Sequence, residues 1–503
     1  MQSAIRLAAV SAIVAAACLV IRADVTPPSQ ASEIQLQLGD LLFSEGKYAD
    51  SLDAYRNSLK TAPSDAVRRP RMGVIASALR VAEFDLVREE AEKLYKADPK
   101  RPDSIALYGD ALWSSGLFPE AEAMYHDALV AAPELARGHH GMAKSLAARS
   151  HLTDAMNEAQ AALQLSPRDL EIHHTVGTIF ERMHKYEEAA GAYSNYVNLL
   201  PNKDHSEKAD WSRAEIRFLR SFGQRVPFES EPGTDDRLYT VDFRLVNEKV
   251  VVRAKVNDAS AQDFVVDTGS ENTVITRTTA QRLGITPVTY TLSAGVGRIG
   301  LRGLQLARID SLELGSLKLR NVPCLIKNPP LQDIPIKETE GLSPLALGYS
   351  MVIDYKTHKL TFGKHLPDEP TDFELPMRIT RLATVRGTVD GRMVNFVVDT
   401  GGEVISISSA TATALRRPEK GRRIALKVYG TSGWDPDAFL MPGVDLMFDA
   451  IPYKNFPVVV LNLNAPSALL GFQLGGIVGH KFLSKYRVGI DMDRSVLRLK
   501  AIS

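Results

Sequence analysis

Two copies of the hexapeptide Phe-Val-Val-Asp-Thr-Gly hold the residues best suited to chemistry in this 503-residue chain. The first copy is Phe264–Gly269 and the second is Phe396–Gly401. Two carboxylates held about 3 Å apart cannot both ionise, so they share one proton. The ionised member can take a proton from water while the protonated member polarises a carbonyl. The repeat supplies one aspartate in each copy, Asp267 and Asp399.

The residues around the two hexapeptides repeat as well. A strand with a tight turn precedes each copy, at 252–258 and 385–391, and a short apolar run follows it. Each repeat ends in a strand pair, and equivalent points lie 132, 134 and 137 residues apart. Alternation typical of strands begins after the polar stretch 223–236. The pattern predicts a duplicated β lobe.

The motif of two apolar residues followed by Asp-Thr-Gly resembles the active-site loop of aspartic peptidases, in particular their retropepsin-like bacterial relatives. The resemblance covers about residues 236–503 and implies an all-β bilobal acid-protease domain. It implies that Asp267 and Asp399 are catalytic and meet at a pseudo-twofold axis. It also implies that Thr268 and Thr400 hydrogen-bond across this axis and hold the loops rigid.

Small residues complete each loop. By the same resemblance, Gly269 and Gly401 let backbone N–H groups face the carboxylates, because a side chain there would obstruct the approach. Ser270 follows the first loop, and its hydroxyl could hydrogen-bond a carboxylate. Gly402 is the matching residue of the second loop and has no side chain for this role. We therefore expect the two carboxyl groups to be inequivalent.

Glycine-rich hairpins could cover a bound peptide. Gly295 and Gly297 lie in the candidate flap of the first lobe, and Gly430 and Gly433 lie in that of the second. Such flaps would close over an extended peptide and exclude water. The alternative interpretation is an ordinary glycine turn in each lobe.

The family packs two apolar residues and a glycine behind each Asp loop. The second lobe has Ile477-Val478-Gly479 at this place, followed by a short helix at 480–483. In the first lobe either Leu342-Ser343-Pro344 or Ala346-Leu347-Gly348 could occupy it. The sequence leaves these two alternatives open.

The N-terminal half contains an internal repeat. Its units end at prolines spaced 36, 34, 34 and 34 residues apart, namely Pro63, Pro99, Pro133, Pro167 and Pro201. Small and aromatic residues recur at fixed places within each unit, as expected for pairs of closely packed antiparallel helices. The pattern resembles the tetratricopeptide repeat, with five units over 33–204. The resemblance implies a surface that binds a peptide or a partner protein; the alternative is a spacer or dimerisation module.

The N-terminus resembles an export signal. Arg6 precedes an almost wholly apolar run, Leu7–Ile21, which is short for a membrane span and typical of a signal-peptide core. We expect cleavage after Ala23, with lipidation of Cys18 or an uncleaved anchor as alternatives. The expected location is therefore the periplasm or cell envelope, with at most one membrane tether at the N-terminus.

Composition excludes several function classes. Lys and Arg together number 60, as do Asp and Glu, so no overall charge attracts nucleic acid. Only two cysteines occur, and no metalloprotease or serine-hydrolase motif is present. We expect neither a metal nor a cofactor.

These observations divide the chain into seven segments: signal peptide or anchor 1–23, linker 24–32, repeats 33–204, capping helix 205–223, linker 224–236, peptidase lobe 1 237–366 and peptidase lobe 2 367–503. The function expected is that of an exported aspartic endopeptidase whose repeat array binds a peptide or partner protein. The alternative is a catalytically inactive, peptidase-like scaffold protein of the cell envelope that works through its repeats.

Overall fold

Helices occupy the first part of the chain and strands the second. A computed structural model describes residues 28–297, 301–327, 339–416, 424–430 and 432–502. The predicted export signal, with Cys18, lies outside the described residues. Within the described ranges, no helix has the length and apolar character needed to cross a membrane. The chain divides into two compact units, residues 1–77 and 78–503.

The helical part consists of consecutive antiparallel pairs and a final single helix. Its helices are α1 Pro28–Ser44, α2 Tyr48–Thr61, α3 Arg68–Arg80, α4 Phe84–Ala97, α5 Pro102–Ser114, α6 Phe118–Ala131, α7 Ala136–Ala148, α8 Leu152–Leu165, α9 Leu170–Arg182, α10 Tyr186–Leu199 and α11 Glu207–Arg220. This arrangement is the predicted tetratricopeptide-type solenoid with its capping helix. The first helix begins at Pro28, which lies inside the segment 24–32 predicted as a linker.

Close packing of glycine against tyrosine explains the spacing of the repeat. In the first helix pair, a Cβ atom added at Gly39 would lie 2.6 Å from the ring of Tyr55. In the third helix pair, a Cβ atom at Gly109 would lie 2.7 Å from the ring of Tyr125. The first helix of each of these pairs therefore has to carry glycine where the tyrosine of the second helix crosses it.

Most strands of the first lobe form one sheet, accompanied by a short helix. The strands are β1 Glu229–Ser230, β2 Tyr239–Asp242, β3 Arg244–Val246, β4 Lys249–Val256, β5 Gln262–Val266, β6 Thr273–Ile275, β7 Thr289–Ala294, β8 Leu301–Leu314, β9 Leu317–Ile326, β10 Glu340–Leu342, β11 Ser350–Asp354 and β12 Lys359–Gly363, with helix α12 at Arg277–Arg282. The sheet order is β1-β9-β6-β10-β5-β4-β8-β7, and β3 pairs with β4. Strand β1 lies inside the segment 224–236 predicted as a linker.

The second lobe repeats this design. Its elements are β13 Phe373–Ile379, β14 Ala383–Val389, β15 Arg392–Val398, β16 Ser406–Ser408, α13 Ser409–Ala414, β17 Ile424–Ala425, β18 Val428–Gly430, β19 Gly433–Asp435, β20 Phe439–Phe448, β21 Ile451–Leu461, α14 Asn464–Leu470, β22 Gly476–Val478, α15 His480–Leu483, β23 Tyr486–Asp491 and β24 Val496–Ala501. Strand β22 runs parallel to β15 and antiparallel to β16, as β10 does with β5 and β6. The lobe is therefore duplicated in topology as well as in sequence.

The two lobes share a sheet in the order β13-β24-β23-β11-β12-β2. Its centre is the antiparallel pair β11 and β23, in which Val352 lies opposite Gly489. The predicted closing strand pairs of both lobes thus lie side by side. One apolar core contains buried residues from both lobes, including Phe264 and Phe396 of the two hexapeptides. This shared core fixes the lobes against each other.

Candidate active site

Each Asp-Thr-Gly loop begins where a buried strand ends. Strand β5 leads into Asp267, whose N–H donates to the carbonyl of Leu342 on β10 at 2.9 Å. Strand β15 leads into Asp399, whose N–H donates to the carbonyl of Val478 on β22 at 3.0 Å. The neighbouring parallel strand therefore fixes the backbone of each aspartate in the same way.

This register identifies the support of the first loop. Leu342 is paired with Val266, as Val478 is with Val398. Gly341-Leu342-Ser343 therefore occupies the place behind the first loop that Ile477-Val478-Gly479 occupies behind the second. The alternative 342–344 was wrong by one residue, and the alternative 346–348 lies beyond this place. Ser343 stands where the second lobe has Gly479.

The two threonines exchange hydrogen bonds between the loops. The hydroxyl of Thr268 donates to the carbonyl of Val398 at 2.6 Å and accepts from the N–H of Thr400 at 3.1 Å. The hydroxyl of Thr400 donates to the carbonyl of Val266 at 2.7 Å and accepts from the N–H of Thr268 at 3.1 Å. Both threonines are fully buried. These four bonds join the lobes directly beneath the aspartates.

The two carboxyl groups are in contact. The charge of Asp399 helps to raise the pKa of Asp267, so the two carboxyls interact directly. A Cβ atom added at Gly269 would lie 2.6 Å from Cγ of Asp399, and one at Gly401 would lie 2.6 Å from Oδ1 of Asp267. Such distances are shorter than van der Waals contact, so only glycine fits at either position.

The backbone favours the charged form of Asp399 over that of Asp267. Asp399 Oδ1 accepts from the N–H groups of Gly401 at 2.8 Å and Gly402 at 3.0 Å. Asp267 Oδ1 accepts from the N–H of Gly269 at 3.0 Å. Burial, followed by the charge of Asp399, raises the pKa of Asp267 to about 7. Burial also raises the pKa of Asp399, but its hydrogen bonds oppose the rise.

The expected inequivalence of the carboxyls therefore comes from different atoms than the sequence suggested. The Ser270 hydroxyl donates to the carbonyl of Asn272 at 2.9 Å and supports the turn rather than a carboxylate. The extra donor belongs to Gly402, through its backbone N–H. The sequence argument considered side chains and missed this backbone group.

The two glycine-rich turns meet each other. The first follows β7 and contains Gly295 and Gly297, and the second joins β18 to β19 and contains Gly430 and Gly433. The N–H of Ser432 in the second turn donates to the carbonyl of Val296 in the first at 3.1 Å.

The backbones touch so closely that side chains are excluded. A Cβ atom at Gly430 would lie 2.2 Å from the Val296 carbonyl oxygen. Gly297 has a φ of +140°, and a Cβ atom there would clash with the backbone of Ser432. Val296 also belongs to the apolar cluster that includes Val404 and Ile477, which flank the Asp399 loop.

Comparison with known families agrees with this geometry. The family described as aspartyl protease matches residues 252–351 and again residues 385–479. The C-terminal region thus resembles a duplicated aspartyl protease domain. No curated protein matches the chain significantly.

Solved structures similar to this chain include two TPR proteins and a pilF protein. A thermophilic TPR protein from Thermus thermophilus is 20% identical and covers 34% of this chain and 93% of its own, with a TM-score of 0.30. The pilF protein of Pseudomonas aeruginosa is 14% identical and covers 40% of this chain and 95% of its own, with a TM-score of 0.28. YrrB, a TPR protein with an unusual peptide-binding site, is 15% identical, and the match covers 35% of this chain and 90% of YrrB, with a TM-score of 0.22.

Charged residues near Asp267 and Asp399 were not singled out from the sequence. Glu271, four residues after Asp267, forms an ion pair of 2.5 Å with Arg381 of the other lobe. The positive charge of Lys249 lies near both aspartates and opposes the rise in their pKa values. A glutamate follows each Asp by four residues, at Glu271 and Glu403, and this repeat was a signal available in the sequence.

A buried glutamate supports the first loop and was also missed. Glu340 accepts from the Thr276 N–H at 2.5 Å and from the hydroxyls of Thr276 at 2.9 Å and Thr279 at 2.7 Å. It therefore ties the start of α12 to β10, the strand behind Asp267. In the part of the chain that the structure describes, no group of three or more His, Cys, Asp or Glu residues is arranged to hold a metal.

Proposed function

We propose that this protein is an aspartic endopeptidase that uses Asp267 and Asp399 to activate water. The observation that carries the proposal is that these two carboxyls meet at the junction of two identical loops, each lying against the glycine of the opposite loop. Thr268 and Thr400 hold that junction together from beneath. A structural strand turn would not require two half-buried acids in contact, because each costs desolvation energy.

The proton of the resting pair resides on Asp267. Asp399 accepts two backbone N–H groups whereas Asp267 accepts one, so the negative charge is better stabilised on Asp399. In the reaction, Asp399 removes a proton from water, and the water oxygen attacks the peptide carbonyl carbon. Asp267 donates its proton to the carbonyl oxygen. Asp399 then transfers the proton it took from water to the amide nitrogen, the C–N bond breaks, and a hydroxyl of the tetrahedral intermediate returns its proton to Asp267.

The two glycine-rich turns serve as flaps over an extended peptide. Their tips contact one another through backbone atoms, so opening them requires breaking the bond from Ser432 to Val296. A closed pair of flaps would exclude bulk water from the reacting carbonyl.

The repeat array binds a peptide or a partner protein. Helices α5 and α7 carry charged side chains that face one another: Asp110 pairs with Arg137 at 2.5 Å and with Lys144 at 3.2 Å. The ammonium of Lys144 lies 5.2 Å from the centre of the Trp113 ring. Such a surface offers both ionic and aromatic contacts to a peptide.

Export to the periplasm or cell envelope completes the proposal, based on the apolar segment 7–21. Cell fractionation with an antibody against the mature chain tests it. Mass spectrometry of the purified N-terminus separates cleavage after Ala23 from lipidation of Cys18 or an uncleaved anchor.

The enzyme is tested by incubating the full chain with a mixed peptide library, with and without a statine-type inhibitor. We expect inhibitor-sensitive cleavage at mildly acidic pH, and its loss in both Asp267→Asn and Asp399→Asn. Folding of each variant is checked by circular dichroism. Absence of cleavage by the wild-type chain across the acidic to neutral range would contradict the proposal and favour a peptidase-like scaffold protein.

A further inference from the structure

The third helix pair of the array packs on β15, the strand that leads into Asp399. Phe118, the first residue of α6, is 3% exposed. Its ring centre lies 5.0 Å from that of Phe472 in lobe 2, with the rings nearly perpendicular. Phe118 belongs to the same buried cluster as Val397, which lies on β15 two residues before Asp399. The array thus supplies part of the packing behind the second loop.

The turn before Phe118 packs so closely against β15 that it leaves no room for a side chain. Gly116 has a φ of +73°, and a Cβ atom there would lie 1.5 Å from Nδ2 of Asn395. The N–H of Gln473 donates to the carbonyl of Ser114 at 2.8 Å. The turn between α5 and α6 is therefore in direct contact with lobe 2.

Asn395 connects this turn to the support of the Asp399 loop. Its Nδ2 donates to the carbonyl of Gln473 at 2.9 Å, and its Oδ1 accepts from the N–H of Gly475 at 3.0 Å. Gly475 directly precedes β22, whose residue Val478 binds the backbone of Asp399. A shift of the turn would thus be transmitted to both strands that hold this aspartate.

The C-terminal helix of the array packs against lobe 1. Phe218 and Leu219 of α11 share a buried cluster with Leu306 and Leu325 of lobe 1. Val274 on β6 packs against this cluster and lies opposite Gly341 on β10. The array therefore contacts, in each lobe, a strand next to the aspartate loop.

Ion pairs and hydrogen bonds fill the interface between these two contacts. Glu122 pairs with Arg149 of the array at 2.6 Å and with Arg378 of lobe 2 at 3.3 Å. Glu120 pairs with Arg386 at 2.8 Å. Contacts of this kind resist sliding of the array, since each charged partner would otherwise be left unpaired in a partly buried place.

We propose that the array is a positioning element of the peptidase, and that Phe118 is the positioning residue that holds β15 and therefore Asp399 against Asp267. This inference rests on the proposed peptidase function. It goes beyond peptide capture, because the array acts on the reacting carboxyls whether or not it carries a ligand. A displacement of about 1 Å in catalytic geometry can cost on the order of 100-fold in rate.

The test compares Phe118→Ala with Leu152→Ala in the full-length chain. Leu152 is the first residue of α8, the equivalent place in the next pair, and it packs in a cluster made of array residues. Cleavage of the best peptide is measured against pH, and the active enzyme is counted by titration with a tight statine-type inhibitor. Counting active sites removes any effect of a reduced folded fraction.

We expect Phe118→Ala to lower kcat per active site by about tenfold or more, with a smaller change in KM. We also expect the alkaline limb of its pH profile to move to lower pH, because separated carboxyls lose the mutual charge effect that raises the upper pKa. Phe118→Leu should restore most of the activity, and Leu152→Ala should match the wild type. Should Phe118→Ala fail to fold, Phe118→Val provides the same comparison, because it removes the ring and leaves a larger side chain than alanine.

Two negative results can be told apart. A wild-type enzyme that cleaves, together with a Phe118→Ala or Phe118→Val variant that has its kcat and pH limb, overturns the positioning role alone. An equal pH shift in Leu152→Ala also overturns it. A wild-type chain that cleaves nothing overturns the proposed function, and this inference falls with it.

Discussion

Thr400→Val removes the hydroxyl that joins the two aspartate loops. This hydroxyl donates to the Val266 carbonyl and accepts from the Thr268 N–H, and both lie in the buried junction. Each buried backbone group left unpaired costs about 1–3 kcal/mol, so the variant should lose about 2–5 kcal/mol of peptidase unfolding free energy. Thr400→Ser keeps the hydroxyl and loses one methyl group, which should cost about 1 kcal/mol.

The chain offers a matched control in Thr273. This residue is also fully buried in lobe 1, but its hydroxyl has no hydrogen-bond partner among the described residues. Thr273→Val should therefore be neutral or slightly stabilising, since it replaces an unpaired polar atom by a methyl group on a strand.

Urea unfolding followed by hydrogen exchange, read from peptides of the two lobes, measures these effects apart from the array. The expected order of stability is Thr273→Val at or above wild type, then Thr400→Ser, then Thr400→Val. If Thr400→Val and Thr273→Val agree within about 0.5 kcal/mol, the hydroxyl exchange does not hold the loops together.

Three further predictions concern the acids and the flaps. Asp267 has a raised pKa of about 7 in the folded state, so its contribution to stability is complete at low pH and is lost as pH rises toward neutrality. Asp267→Asn should therefore unfold at a higher temperature than wild type at mildly alkaline pH, with a smaller difference in acid, as measured by calorimetry. Glu340→Gln places an amide where Thr276 and Thr279 donate three hydrogen bonds, and it should cost about 1–3 kcal/mol in urea unfolding; an unchanged midpoint would contradict this role. Gly430→Ala would place Cβ 2.2 Å from the Val296 carbonyl oxygen and separate the flap tips, so KM should rise while the unfolding midpoint stays near wild type; an unaltered KM would argue against a flap.

The sequence was sufficient for features that repeat within it. The doubled hexapeptide predicted two identical loops, and the structure brings Asp267 and Asp399 into contact. The proline spacing predicted helix pairs, and these are present over the described helical region. Both results follow because a duplicated segment carries its local strand and turn preferences with it.

Features that depend on distant contacts were not readable. Assigning the support of the first loop to 341–343, instead of the expected 342–344 or 346–348, needed the register of β10 against β5, which no local pattern specifies. The extra donor to Asp399 is a backbone N–H. It was missed because a sequence motif shows which side chains are present and does not show where backbone N–H groups point. Gly116 lies in a helix–helix turn and Asn395 in a strand of lobe 2, and nothing in either local sequence indicates that the two residues meet.

The central claim, that Asp267 and Asp399 share one proton and activate water, is tested most directly by peptide cleavage in water enriched in oxygen-18. Mass spectrometry of the products reports both the rate and the origin of the new carboxyl oxygen. We expect one heavy oxygen per new C-terminus in the wild type, and a rate lower by about 100-fold or more in Asp267→Asn and in Asp399→Asn. Cleavage that continues at the wild-type rate in either folded variant would contradict the account.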